Sequence, residues 1–392
     1  MKSSDINTFC YTLLLLVLAG CTDNMEKGLN AYKKKQYIKA MNYYRQAAQN
    51  NNPNAQNNIG NIYYRGEGVK KNYQKALKWY LLSLKNGNET AAFNIGLLFL
   101  KGGYGIKKDY KKALLYFKIA SKKNNPDAQY NIACLYLKGY GVEQNYKEAF
   151  KWLSKAASSN HAAAQFNLGN LYECGKGVRQ NMKEAIRYYS LSAEQNYTYA
   201  QRDLAFLYLD GKGVPQNTKK ALDLFNKLID KNYAPIEFFL GMLYYTGRYV
   251  KKDEKQALIL LNRAAKHNNP DAMNMIAWLL CEHNKDMVEA EKLINKALQL
   301  APHNPCYIDT LGWIYYKRQK CNESLLQLKK ASNLAPENAK ITDHLGDVYQ
   351  ALGKTKEAKA QWQKALELTK DEDLKKKIEK KLKTCPAGSI SL

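Results

Sequence analysis

One alanine recurs down the chain at nearly constant spacing, and that periodicity limits the fold more than any other feature. It stands at Ala40, Ala76, Ala113, Ala149, Ala185, Ala221, Ala257, Ala290 and Ala358, with Ser324 in the same register. The interval is 36 or 37 residues as far as Ala257 and 33 or 34 beyond it. A fixed period of this length marks a stacked repeat, in which one unit cannot bury its apolar face alone and neighbours bury it together. The registers predict an all-α fold: a right-handed α-α superhelix (solenoid) of about ten helical hairpins.

The stretch from Ala164 to Tyr199 shows what one unit contains. Phe166, Leu168, Leu171 and Tyr172 recur at helical spacing around Gly169, which predicts a first helix. Glycine inside a helix costs about 1 kcal/mol relative to alanine, so it needs a reason, and close helix–helix approach supplies one. Gly60, Gly96 and Gly241 fill the same slot, with Ala133 and Ala205 in two other repeats. A glycine pair then ends the helix, because glycine tolerates left-handed backbone. The pairs are Gly66/Gly68, Gly103/Gly105, Gly139/Gly141, Gly175/Gly177 and Gly211/Gly213; the sixth repeat has Gly247 and then Tyr249. Val69, Ile106, Val142, Val178, Val214 and Val250 follow and are expected to plug each loop into the core.

The second helix is expected to start at Asn72, Asp109, Asn145, Asn181, Asn217 and Asp253, four residues before each marker. Their side chains can accept from free backbone N–H groups. Glu148 and Glu184 sit where a capping box places its acidic partner. Six pairs are expected to be buried by helix two: Trp79/Tyr80, Tyr116/Phe117, Trp152/Leu153, Tyr188/Tyr189, Leu224/Phe225 and Leu260/Leu261.

The succession A-Q-x-N-L-G-x-x-Y, G-x-G-V and K/E-A-x-x-W/Y-Y resembles the Sel-one-like repeat, a relative of the tetratricopeptide repeat. The resemblance covers residues 55–271 in six copies. Residues 272–370 read as three repeats of the tetratricopeptide type, marked by Leu311, Gly312 and Tyr315 and by Leu345, Gly346 and Tyr349. The first of the three is looser, with Trp278 and Cys281 departing from the pattern. Residues 371–392 are expected to form a capping helix, with Leu374, Ile378 and Leu382 on its buried face, and a tail.

At the other end, residues 1–20 read as a lipoprotein signal peptide. Lys2 precedes an apolar run, Tyr11 to Leu18, too short to span a bilayer and suited to a secretory signal. Leu18-Ala19-Gly20-Cys21 resembles the bacterial lipobox, which implies cleavage before Cys21 and lipidation of it, and so a lasting membrane anchor. Thr22, by the enterobacterial sorting pattern, implies the outer membrane, facing the periplasm or the surface. Residues 21–54 are then a lipidated N-terminus and a capping hairpin without the glycine loop.

The formal net charge is +26. Such a surface attracts polyanions. The lysines read as scattered over every repeat with no aromatic platform, so nucleic acid is not expected, and anionic envelope polymers are the expected charged partners. Apart from Cys10 and Cys21, six cysteines remain: Cys134, Cys174, Cys281, Cys306, Cys321 and Cys385. They are expected as loose buried thiols, since the cysteine-rich branch of the family staples each repeat with two cysteines and this chain lacks that pattern.

No catalytic, metal-binding or cofactor-binding constellation is expected. The five histidines fall near turns and repeat starts, and Cys281 and His283, two apart on a helix, diverge. One polar ladder qualifies as a candidate partner-binding site. Asn58, Asn94, Asn131, Asn167 and Asp203 each lie two residues before the small residue of helix one. An amide there can hold a peptide backbone with donor and acceptor together, or bridge neighbouring repeats. The resemblance implies a non-enzymatic scaffold of the cell envelope that binds proteins or peptides along its concave face. A host-interaction factor and a cell-wall-related hydrolase are the alternatives it leaves open.

Overall fold

The computed structural model describes residues 24–385, which form helices and short connections with no strand among them. The signal segment, Cys21 and the residues after 385 lie outside the described part. α1 spans residues 24–33. The helices that follow are α2 Tyr37–Gln49, α3 Pro53–Arg65, α4 Tyr73–Lys85, α5 Thr90–Lys101, α6 Tyr110–Ser121, α7 Pro126–Lys138, α8 Tyr146–Ser158, α9 Ala162–Cys174 and α10 Met182–Glu194. After them come α11 Thr198–Asp210, α12 Thr218–Ile229, α13 Ala234–Thr246, α14 Glu254–Lys266, α15 Pro270–Glu282 and α16 Met287–Leu300. The last five are α17 Pro305–Lys317, α18 Cys321–Leu334, α19 Ala339–Ala351, α20 Thr355–Leu368 and α21 Glu372–Thr384. The chain divides into two compact units. The first reaches Leu207 and includes Lys212–Val214; the second takes Tyr208–Gly211 and everything from Pro215. Within each, consecutive helices pair into hairpins, and each hairpin packs on the next.

The hairpins close where a ring lies on a bare backbone. A Cβ added to Gly60 would sit 2.5 Å from the Tyr80 ring, and on Gly96, 2.5 Å from Phe117. The distances are 2.7 Å for Gly169 on Tyr189 and 2.5 Å for Gly346 on Trp362. No real Cβ tolerates such a contact, so the glycine of helix one is set by the ring of helix two. Where alanine takes the slot, at Ala133, helix two brings Leu153 into the same cluster. The marker alanines are fully buried, as is Ser324, whose hydroxyl donates to the Gly312 carbonyl at 2.7 Å. The expected buried pairs are half right. Tyr80, Phe117, Leu153, Tyr189, Phe225 and Leu261 are buried, whereas Trp79, Tyr116, Trp152, Tyr188 and Leu224 are half-exposed and Leu260 alone accompanies its partner inward. Neighbouring residues on a helix point about 100° apart, so one of the two takes the core and the other an edge.

The loops follow the expected chemistry with two corrections. Gly66, Gly139 and Gly175 close helix one in left-handed backbone. The N-cap residue then returns its own N–H to helix one, Asn72 to the Tyr63 carbonyl and Asn181 to that of Tyr172, both at 2.9 Å. Asn72 Oδ1 accepts from the Lys75 N–H at 2.8 Å, and all six expected caps do the same. Val69, Ile106, Val142 and Val178 are tucked against the core. The first correction is that Gly102, not Gly103, ends α5; one extra residue sits in this loop, where Gly103 and Ile106 exchange backbone hydrogen bonds. The second is that Glu148 and Glu184 turn to Lys151 and Arg187, one turn on, rather than completing a capping box. Tyr249 fills its glycine slot with φ 65° and holds Asp210 through its hydroxyl at 3.1 Å.

A buried amide joins one hairpin to the next. Gln56, with no exposed surface, donates from Nε2 to the Ala48 carbonyl of the preceding hairpin at 3.4 Å, while its Oε1 accepts from Asn86 at the end of α4 at 2.9 Å. Gln165 repeats this with the Ala157 carbonyl and Gln195. In the second unit Glu237 occupies the slot, wholly buried, between Arg263 Nε at 2.6 Å and His267 Nδ1 at 2.7 Å; Arg263 also donates to the Ile229 carbonyl. One copy is incomplete. Gln129 Oε1 is buried without a hydrogen bond, because the residue at the Asn86 position is the short Ser159. Most turns between hairpins share one element: Asn51, Asn124, Asn160, Asn196, Asn232 and Asn268 all hold φ between 54° and 61°, a conformation asparagine tolerates better than most residues, with Gly87 in the turn before α5.

Two outcomes follow for urea unfolding. Gly60→Ala is expected to lose about 2 kcal/mol despite alanine's better helix propensity, and Gly60→Ala with Tyr80→Leu to recover most of it. Ser159→Asn is expected to gain about 1 kcal/mol by completing the Gln129 amide pair. Unchanged midpoints would contradict each.

Candidate partner-binding groove

The ladder residues are all half-buried on the first-helix face of the first unit. They divide by what they hold. Asn94 Nδ2 donates back to Asn57 Oδ1 at 2.9 Å in the preceding repeat, and Asn167 Nδ2 reaches the Tyr130 hydroxyl at 3.4 Å, also one repeat back. Asn58 lies beside the Tyr44 hydroxyl. Asn131 turns onto the Asp127 carbonyl of its own helix at 2.8 Å, and Asp203 takes the neighbouring Arg202 Nε at 2.6 Å. The structure therefore brings three of the five into contacts with other helices, while Asn131 and Asp203 bind locally.

An open cleft of about 510 Å³ lies on this face between α7 and α9. Tyr130, Cys134, Asn167, Asn170 and Cys174 line it, with Lys138 and Lys176 at its rim. It offers amides, a phenol and thiols rather than a general base with a nucleophile. Burial pushes the Cys134 thiol up and likewise the Tyr130 phenol, so both stay protonated at neutral pH. The expected buried thiols need correction: Cys281 is buried, Cys134, Cys321 and Cys385 are partly so, and Cys174 and Cys306 are exposed. All six are free. Burial, then the neighbouring Glu282 carboxylate, push the Cys281 thiol up to about 11, which suits packing and not nucleophilic attack.

In the second unit the first-helix face is acidic, and its carboxylates are spoken for. Asp271 accepts from the Tyr307 hydroxyl at 2.5 Å and Glu282 from Trp313 Nε1 at 2.7 Å. Asp309 meets His344 Nδ1 at 2.8 Å, with the imidazole stacked on Trp313 at 4.1 Å. A cleft of about 230 Å³ opens among α15, α17 and α19, lined by Asn274, Trp278, Cys306, Thr310 and Lys340. Lys340 lies over the Trp278 ring at 4.8 Å, and Asn274 Oδ1 is buried there without a hydrogen-bond partner among the described residues. Trp278, the departure from the repeat pattern, is thus a wall of this cleft. Nothing in the sequence marked Asn274; its position corresponds to Asn57, one residue before the ladder slot. Among the described residues no group of three or more His, Cys, Asp or Glu could hold a metal ion.

The Sel1 repeat model matches residues 18–52, 53–88, 90–125, 126–161, 162–197, 198–233 and 237–269, most of the chain. The chain belongs to the Sel1 repeat family. Seven Sel1 repeats therefore precede the tetratricopeptide segment, the first of them the hairpin α1–α2 that lacks the glycine loop. A tetratricopeptide repeat matches residues 339–371. Among solved structures, a Sel1 repeat protein from Oxalobacter formigenes is 32% identical over 62% of this chain and 99% of its own, with a TM-score of 0.57. A protective antigen of uropathogenic Escherichia coli with an SLR fold is 24% identical over 92% of this chain and 80% of its own, with a TM-score of 0.69. No curated protein matches.

The end of this Sel1 protein is locked by one ammonium. Lys381 on α21 reaches Asp343 Oδ1 and Asp347 Oδ2, both at 2.7 Å, while Ile378 fills the core beneath. The capping helix is therefore not solvated along its whole lysine face. Burial holds Asp347 above the usual carboxylate range, and Lys381 opposes that shift. Lys381→Met is expected to cost about 3 kcal/mol at neutral pH. Without the ammonium the folded-state pKa rises further. The penalty is then complete above that value and fades as pH falls towards about 4, the unfolded value. A loss independent of pH would contradict the pairing.

Proposed function

We propose that this Sel1 repeat protein is a non-enzymatic scaffold, held at the outer membrane of a bacterial envelope by lipid on Cys21, that captures protein or peptide partners along its first-helix face. The observation that carries the binding half is the clustering of hydrogen-bonding groups without a reactive set. Amides, a phenol and half-exposed rings line open clefts in both units, and the orphan acceptor Asn274 Oδ1 offers a hydrogen bond to a donor such as a peptide N–H. Open, shallow clefts spread over several repeats suit extended ligands, whose affinity is the sum of many small contacts. The lipobox Leu18-Ala19-Gly20-Cys21 supports the anchor. Among the described residues no helix is long and apolar enough to cross a membrane.

Crosslinked capture from the native host, with the mature lipoprotein as bait, tests the reading. One dominant envelope protein is expected, with capture by Asn167→Leu/Asn274→Leu reduced about tenfold while the circular dichroism stays unchanged. Cys21→Ser is expected to leave the membrane fraction. Equal capture by the groove variant, or retention of Cys21→Ser on membranes, would overturn the corresponding half.

A further inference from the structure

The charge of the first unit is not spread evenly; its turns carry it along one edge and not the other. The turns inside its hairpins, each taken from the end of helix one to the third residue of helix two, are residues 34–39, 66–75, 102–112, 139–148 and 175–184. Together they hold 14 Lys and Arg against 5 Asp and Glu. The turns between hairpins, taken by the same rule as residues 50–55, 86–92, 122–128, 159–164 and 195–200, hold 2 of each. The two edges have the same number of turns, and although those inside hairpins total 47 residues against 32 between them, they hold seven times as many basic side chains, so neither length nor base composition alone produces the difference. The expectation of lysines scattered over every repeat is corrected on this point.

Three further observations turn the imbalance into a surface. All of these basic side chains are exposed except Lys71, which is half-buried. Four of the five acids are engaged within the fold. Glu67 accepts from the Tyr32 hydroxyl at 2.6 Å, Asp109 caps α6, and Glu148 and Glu184 hold Lys151 and Arg187. The loops also form a continuous row. Gly68 is pressed on Tyr37, Gly141 on the backbone of Tyr110, and Gly177 on that of Tyr146, so each loop rests on the start of helix two one hairpin earlier. Gln74 Nε2 donates to the Gly105 carbonyl at 3.3 Å across the same seam. The tyrosines here are packed together: Tyr73 lies against Tyr104 and Tyr110 against Tyr140, both at 4.8 Å, with Lys71 over Tyr104 and Lys108 over Tyr110. They fix lysines in place, while Tyr104 and Tyr140 keep about half of their own surface exposed.

We propose that this hairpin-loop edge is a docking edge for a linear phosphate polymer that carries no bases, lying across successive loops with its anionic groups against one cationic cluster per hairpin. A row of charge suits a chain carrying an anion on every unit, and neutralising several phosphates at once releases their counterions, which gives affinity together with steep salt dependence. The edge adjoins the first-helix cleft at Lys176, but the substitutions that test it leave Lys138 and Lys176 in place and it needs no lipid on Cys21, so its failure and that of the scaffold reading are distinguishable.

The test uses the full chain and long-chain inorganic polyphosphate, with affinity read by anisotropy over a salt series. The edge variant replaces Lys35, Lys39, Lys70, Lys107, Lys111 and Arg179 by Gln. A control variant of equal net charge replaces Lys266, Lys296, Lys330, Lys356, Lys364 and Lys370 by Gln. The edge variant is expected to bind at least about tenfold more weakly and with a shallower salt slope, and the control within about twofold of the parent. Equal weakening in both would reduce the effect to net charge and overturn the proposal, as would absence of binding by the parent chain. Tighter binding to phosphatidylglycerol vesicles or to single-stranded DNA than to polyphosphate, lost in the same edge variant, would assign the edge to a membrane or to nucleic acid and overturn it equally.

Discussion

The contact between a bare helix-one backbone and a large side chain from helix two sets the geometry that everything else uses. At Gly60, Gly96 and Gly169 the facing ring occupies the space a methyl group would need. The cost of glycine in a helix is about 1 kcal/mol. Burying a whole tyrosine or phenylalanine face contributes about 1.5–3 kcal/mol, so the exchange favours the ring. The two helices are drawn close enough for the marker alanine to lose all contact with solvent. Tyr80 and Tyr189 then use their hydroxyls on Asn61 and Asn170, so even the polar end of the ring is satisfied at the seam.

Much of this was legible from residue types. The period fixed the hairpins, and the six Asn or Asp caps were found where the marker alanine placed them. Capping and helix termination are local, and a side chain three residues from its acceptor needs no tertiary information. What depended on a neighbour was less visible. Gln56 and Gln165 entered only as the Q of A-Q-x-N and Glu237 not at all, yet each is buried between two hairpins because its amide or carboxylate meets partners 8 residues behind it or 30 ahead. The extra residue that moves the helix end from Gly103 to Gly102 was hidden because three glycines could fill two slots. The roles of the candidate ladder residues could not be told apart from residue type, since they turn on neighbours: Asn94 and Asn167 bridge repeats, whereas Asn131 bends to its own helix.

The same repeat plan separates three kinds of surface. The first-helix face carries amides, half-exposed rings and open clefts, the groups that suit a peptide backbone. The hairpin-loop edge of the first unit collects exposed lysines, because every copy of the loop returns to the same side. The turns between hairpins are neutral and rich in asparagine, held by left-handed residues such as Asn51 and Asn160. In the second unit the carboxylates of the first-helix face are matched internally, Asp309 by His344 and Asp343 and Asp347 by Lys381. These acids are held within the stack.

If the ring-on-glycine contact holds each hairpin and the buried amide links neighbours, stability is a nearest-neighbour property. Native-state hydrogen exchange on a Gly169→Val variant tests this most directly. The account requires protection to fall in α9 and α10, to fall less in α7 and α8, and to be unchanged in α3 and α4. Loss of protection equally across the first unit, or none at all, would contradict it.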